Sequence, residues 1–256
     1  MNETYFHLAA YFASLTNGST NVAVAAVQDN VLTKTTSNNF TLPKQLQMRA
    51  MYSAGAFLTR ARINTPSLRY VGLPYVGPVN NALVVPSPAN ITDYGDNGPI
   101  LPTVDEISVE HSLLGAAPEN EFSLVWLNDG KRMQAGQAEY RIRYTGTITC
   151  VAGTWVAGSM TPDQTLPNGR YQIVGMDAIG LNLAAARLVF PGGGWRPGCL
   201  ARNAANLIPY SLFTSGMLGV YGTFDTIALP ALECFSIGAC TAQEVYLDLI
   251  RTGPHS

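Results

Sequence analysis

From Glu121 onward the chain is cut into strand-length runs by turn residues, and no amphipathic helix lies between them. Phe122 to Leu127 is followed by Asn128, Asp129 and Gly130, a strong turn signal. Next come Tyr140, Ile142 and Tyr144, alternating with Glu139, Arg141 and Arg143, the pattern of a strand with one buried and one wet face. Thr147 to Val156 repeats it with Ile148, Cys150, Trp155 and Val156; Asn168 and Gly169 then turn the chain into Tyr171 to Met176. Arg187 to Phe190, Gly219 to Phe224 and Glu244 to Ile250 complete the series. Parallel strands need long crossovers, usually helical, so this spacing predicts a mainly β fold, an antiparallel sandwich or barrel.

The first third reads differently. Thr4 to Leu15 places Tyr5, Leu8, Tyr11 and Phe12 at helical steps, and Lys44 to Arg62 carries a stripe of Leu46, Ala50, Ala54, Phe57 and Ala61 behind Pro43. Gly55 weakens that second helix, and Asn21 to Val27 alternates as a strand does. Pro66, Pro74, Pro78, Pro86, Pro88, Pro99 and Pro102 leave room only for short strands such as Ala82 to Val85. The expected organisation is an N-terminal arm over 1–66 with one or two helices, then a β-sandwich over 67–256.

Composition narrows the function. With 47% hydrophobic residues and 12% charged among 256, the chain buries a large core and exposes a weakly charged surface. A net charge of −2 excludes nucleic-acid binding driven by overall basicity. No run approaches the roughly 18 apolar residues of a membrane span, so no transmembrane segment is expected. The N-terminus lacks a basic leader, so the Asn-X-Ser/Thr triplets at Asn2, Asn17, Asn39 and Asn90 are read as chance. Cys150, Cys199, Cys234 and Cys240 read as free buried thiols, with neither the spacing nor the nearby histidine of a zinc site.

Residues suited to catalysis are sparse. Of His7, His111 and His255, only His111, beside Glu110, lies away from the ends, and it reads as a surface histidine on a polar strand. Gly216, Gly219 and Gly222 have the wrong spacing for a phosphate cradle, and Ser211 and Ser215 sit in no nucleophile elbow. Asp93, Asp96 and Asn97 match a calcium loop only loosely. Asp105 with Glu106, and Glu119 with Glu121, are the carboxylate pairs a glycosidase would need. The expectation is therefore no enzyme, no cofactor and no metal.

Charge placement says more. Every charged residue from Lys34 to Arg69 is positive (Lys34, Lys44, Arg49, Arg60, Arg62, Arg69), and every one from Asp93 to Glu121 is negative (Asp93, Asp96, Asp105, Glu106, Glu110, Glu119, Glu121). Such blocks pair either within one molecule or between copies. Twelve arginines against three lysines favour the second, since arginine is enriched at interfaces. The expected interface is Arg49, Arg60, Arg62 and Arg69 against Asp105, Glu106 and Glu110 of a neighbour, with Tyr5, Tyr11 and Phe12 as apolar anchors.

The C-terminal half, from Gly169 through RYQIVGMDAIGLNLAAARLVFPGGGWRPGCLARN, GMLGVYGTFDT and ALECFSIGACTAQEVYLDLI, resembles the closing strands of jelly-roll capsid proteins of icosahedral viruses, especially tailless bacterial ones. The resemblance spans about half the chain and lies in texture rather than in a signature. It implies eight strands in two facing sheets, an N-terminal arm tying neighbours together, and many copies in a shell. It also implies a virion location after assembly in the host cytoplasm. Partners would be copies of the chain and other capsid proteins. The arm is not strongly basic, so contact with nucleic acid is weak or indirect. The competing readings are a carbohydrate- or receptor-binding sandwich that stacks ligands on Trp195, Tyr210 and Tyr221, and a glycosidase using Glu119 or Glu121.

Overall fold

The computed structural model describes residues 6–15, 18, 20–55, 57–67, 75–77, 79–80, 91–113, 119–130, 135–203, 209–214 and 216–254. The chain divides into two compact units, a first of Leu8–Gly130 and a second of Lys131–Ser256 with Met1–His7. The first contains β1 (Phe6–Leu15, whose first two residues count with the second unit), β2 (Val22–Ala26), β3 (Thr33–Lys34), β4 (Phe40–Thr41), β5 (Leu46–Ala54), β6 (Leu58–Asn64), β7 (Tyr75–Gly77), β8 (Val79–Asn80), β9 (Thr92–Asp93), β10 (Ile100–Leu101), β11 (Glu106–Leu113) and β12 (Glu119–Asn128). The second contains β13 (Tyr140–Gly146), β14 (Trp155–Gly158), β15 (Thr161–Pro162), β16 (Arg170–Ile179), β17 (Leu183–Val189), β18 (Gly198–Arg202), β19 (Gly222–Asp225), β20 (Ala231–Ser236) and β21 (Gln243–Gly253).

Both units pair their main strands in one order. In the first, β1, β12 and β5 run side by side, with β9 and β10 as a broken edge on β5, while β2, β11, β6 and β7 form a second row. In the second, the rows are β13-β21-β16-β19 and β14-β20-β17-β18. Setting the short accessory strands aside and taking β9 with β10 as one, each unit reads first-eighth-third-sixth and second-seventh-fourth-fifth. Both are mainly antiparallel with first and last strands as neighbours, an order consistent with a β-sandwich. A parallel contact, Ala178 with Ala201, joins β16 to β18 at one corner.

Alternation sets the buried faces. In β11, Ile107, Val109, His111 and Leu113 are buried and the residues between them are not; β13 follows the same rule with Ile142 and Tyr144. β5 and β12 are covered on both faces, so their sequences show no two-residue period.

That double coverage explains two corrections. The described part of the segment Thr4 to Leu15, Phe6–Leu15, is strand and not helix: Phe6 to Tyr11 is buried without a break, and an apolar run of this kind satisfies helical spacing by chance. Lys44 to Arg62 is not a helix either but two strands, β5 and β6, with the chain crossing between rows near Gly55, where a Cβ would stand 2.6 Å from Cγ of Glu121. Among the described residues of 1–66 the two expected helices are therefore replaced by strands β1, β5 and β6. β6 lies in register against β11, from Asn64 opposite Ser108 to Leu58 opposite Leu113, so the textural change at 66/67 falls inside a unit. The turn at Asn128 to Gly130 closes no hairpin, because β12 pairs with β5 and β13 with β21. It marks the passage from one unit to the next. The expected strand at Ala82 to Val85 lies outside the described residues.

Candidate functional site

The charge blocks meet inside the chain. Arg62 and Glu110 are cross-strand partners, with Nε donating to Oε2 at 2.6 Å. Arg49 is buried between Asp93 and Asp96, 3.5 Å from a carboxylate oxygen of each. The loop that loosely matched a calcium site thus faces a guanidinium. Arg60 bonds to Asn21. Asp105 is buried and accepts from Ser67, while Glu106 accepts from Asn39 at 2.8 Å. β5 and β6 lie antiparallel to β9 and β11, and this register brings the positive segment against the negative one.

Tyr11 is fully buried, packs edge-on against Phe40, and donates its hydroxyl to the Ile107 carbonyl at 2.9 Å. It anchors its own core, not a neighbour. Phe12 is half-buried. Tyr5, Arg69, Ser215 and His255 lie outside the described residues.

His111 is not on the surface. Its Nε2 lies 2.8 Å from Ser123 Oγ, which lies 2.7 Å from Ser53 Oγ, and its Nδ1 lies 3.4 Å from Glu121 Oε2. All four residues have 0% exposure. Burial pushes the imidazole below its ordinary value, outweighing the upward pull of Glu121. The order carboxylate, imidazole, hydroxyl is that of a nucleophilic triad, but a substrate cannot reach a hydroxyl with no exposed surface. This is a core network. The signal for it was in the sequence: His111 falls in phase with Ile107 and Val109, on the inward face of β11.

The aromatic platform does not form. Tyr210 and Tyr221 are buried; Tyr221 donates to the Phe213 carbonyl and meets Phe6 edge-on. Trp195 is half-buried, in a segment where the Arg196 amide donates to His7 Nδ1 at 3.1 Å. Glu121, the candidate acid, is sealed against His111. A shallow depression of about 340 Å³ lies among Arg141, Arg143, Asp163, Gln164 and Tyr246. Its arginines already face carboxylates, Arg141 on Asp248 at 2.9 Å and Arg143 on Asp163 at 3.2 Å.

The candidate site is instead a set of bonded loops at one end of the second unit. The loop after β13 is tied to the loop before β21 and to the end of β20: the Cys150 amide donates to the Cys240 carbonyl at 2.8 Å, and Gly153 to that of Ser236, the last residue of β20, at 3.0 Å. The turn between β16 and β17 joins the same loop, as Ile237 donates to the Asn182 carbonyl and Asn182 Nδ2 to that of Ala239, each at 3.0 Å. On this ordered frame Val151 is 60% and Leu181 64% exposed. Ile227 is exposed in the turn after β19, and in the first unit Ile100 and Val104 are exposed near the β10–β11 turn. Val104 has φ 61°, a left-handed conformation that a β-branched residue rarely adopts. Side chains of this type on fixed loops gain by being covered. Charge drew the sequence reading away from them; isolated apolar residues between strands gave no periodic signal.

The chain matches no protein-family model and no curated protein sequence. Among solved structures it is similar to the crystal structure of the major capsid protein P2 from Bacteriophage PM2, with 12% identity over 96% of this chain and 97% of that one. The TM-score is 0.24, too low a superposition to bear on function. Among the described residues, no helix is long and apolar enough to cross a membrane.

Proposed function

We propose that this chain is a structural subunit of a viral shell, two jelly rolls in tandem that assemble with copies of themselves. The observation that carries the reading is the repeated strand order: eight main strands in two rows, with the first beside the last, in each half of the chain. This is the order of a jelly roll, a fold used by capsid proteins, lectins and cupins. Exposed Val151, Leu181, Ile227 and Val104 in loops and turns, with Ile100 on the short strand β10, support assembly over the other uses, since a neighbour would bury them. In this reading the chain is no enzyme, and it resides in the virion. Its charge blocks stabilise the subunit, and contact with nucleic acid is indirect.

Negative-stain imaging and sedimentation of the purified chain test it. Closed particles or discrete oligomers are expected. Val151→Asp combined with Leu181→Asp should lower their yield at least tenfold while leaving the melting temperature unchanged. A wild-type monomer at every concentration up to the solubility limit would overturn the proposal.

A further inference from the structure

Cys150 and Cys240 lie in the bonded loops of the second unit, and Cys234 on β20 meets Cys150 there. Cys150 and Cys240 are partners across an isolated antiparallel bridge. Opposed residues of such a pair hold their Cα atoms about 4.5–5.5 Å apart, within the roughly 4.4–6.8 Å that a disulfide spans. The side chain of Gln243 fixes the arrangement. Its Oε1 accepts from the Ile148 amide at 2.9 Å and its Nε2 donates to the Ile148 carbonyl at 2.8 Å. The same Nε2 lies 3.3 Å from Cys240 Sγ and 3.8 Å from Cys150 Sγ, so both sulfurs face one amide nitrogen.

The three thiols differ in readiness to ionise. Hydrogen bonding from Cys234 brings the Cys150 thiol down to about 7; burial opposes this, and bonds with Cys240 and Ser236 assist it. Burial pushes Cys240 up, and Cys234 is raised chiefly by its bond to Cys150 and then by burial. Cys199, on β18, is fully buried, and burial raises it well above its ordinary value. Thiolates and not thiols attack disulfides.

We propose that Cys150 and Cys240 form an oxidisable pair, with Cys150 the attacking thiolate and Cys240 the resolving thiol, and that a low-molecular-weight disulfide converts them to a protein disulfide. The Cys150 thiolate attacks one sulfur of the small disulfide, forms a mixed disulfide, and expels the first small thiolate. Cys240 passes its proton to that thiolate, attacks the Cys150 sulfur, and expels the second, which takes a proton from solvent. Two protein thiols are oxidised and one small disulfide is reduced to two thiols. The bond staples the loop after β13 to the loop before β21, beside Val151.

Oxidised glutathione applied to the folded chain, followed by alkylation and peptide mapping without reductant, tests this. A Cys150–Cys240 peptide should appear with loss of two alkylatable thiols, and dithiothreitol should reverse it. Cys199→Ser should change nothing. Cys240→Ser should halt the reaction at a glutathione adduct on Cys150. The wild-type map needs no variant to fold. A bond from Cys150 to Cys234 would overturn the proposal, as would four intact thiols in the native chain under conditions that oxidise the urea-unfolded chain.

Discussion

In the first unit the buried polar groups are one ion-paired arginine, Arg49 with Asp93 and Asp96, and a string, Ser53, Ser123 and His111, ending on the carboxylate of Glu121. In the second, ion pairs with both members buried stand out: Arg187 on Glu233 at 2.6 Å with its guanidinium 3.9 Å above the Trp155 ring, and Arg202 on both oxygens of Asp177. The strand order is the same in both. Strand order therefore does not dictate which polar groups are buried. What each unit requires is that a buried polar group meet a partner, because an unmatched one costs more than a bond returns. The difference lies in how each unit responds to losing a partner or gaining a proton.

The largest effect is expected in the second unit. Arg187→Ala leaves Glu233, which is nearly fully buried, without its closest cation and should cost about 3–5 kcal/mol in urea unfolding. Replacing both, Arg187→Met with Glu233→Leu, should recover most of that loss. A single variant as stable as wild type would erase the contrast between the units.

His111→Ala should cost the first unit about 1–3 kcal/mol by leaving Ser123 and Glu121 short of a partner. The same residue gives that unit a pH response. His111 titrates lower in the folded chain than in the unfolded one, where its value is about 6.5. The unfolded chain therefore takes up the proton first as pH falls. Stability from this group is complete above about pH 6.5 and declines below it. Urea midpoints measured from pH 7.5 to 5 should fall for wild type and flatten in His111→Ala; equal slopes would remove His111 as the cause.

The smallest effect is expected for Arg62→Ala. Its bond to Glu110 is short but partly exposed, and such pairs contribute less than about 1 kcal/mol. A loss above 2 kcal/mol in thermal unfolding would show that the joined charge blocks hold the first unit together far more than surface pairs do.

Strands with one wet face were legible in the sequence. β13 and β21 lie where alternating residues placed them, and β2 falls within Asn21 to Val27. Strands covered on both faces were legible only where turn residues bounded them, as at β12 and β16; β1 and β5 looked helical because burial on two sides removes the two-residue period. The charge blocks were visible as blocks, but their partners were not. Arg62 reaches Glu110 across 48 residues of sequence, and only the register of β6 on β11 brings them together. The thiols were read correctly as free and buried, yet nothing in their spacing placed Cys150 opposite Cys240.

By itself the sequence determined that this chain folds as β structure with a large core and a weakly charged surface, because turn residues, proline spacing and side-chain alternation act locally. The tertiary structure alone decided that there are two compact β units of one strand order, that opposite charges close on each other within the chain, and which apolar residues stay exposed. Those outcomes depend on pairings between strands far apart along the chain, which no local pattern encodes.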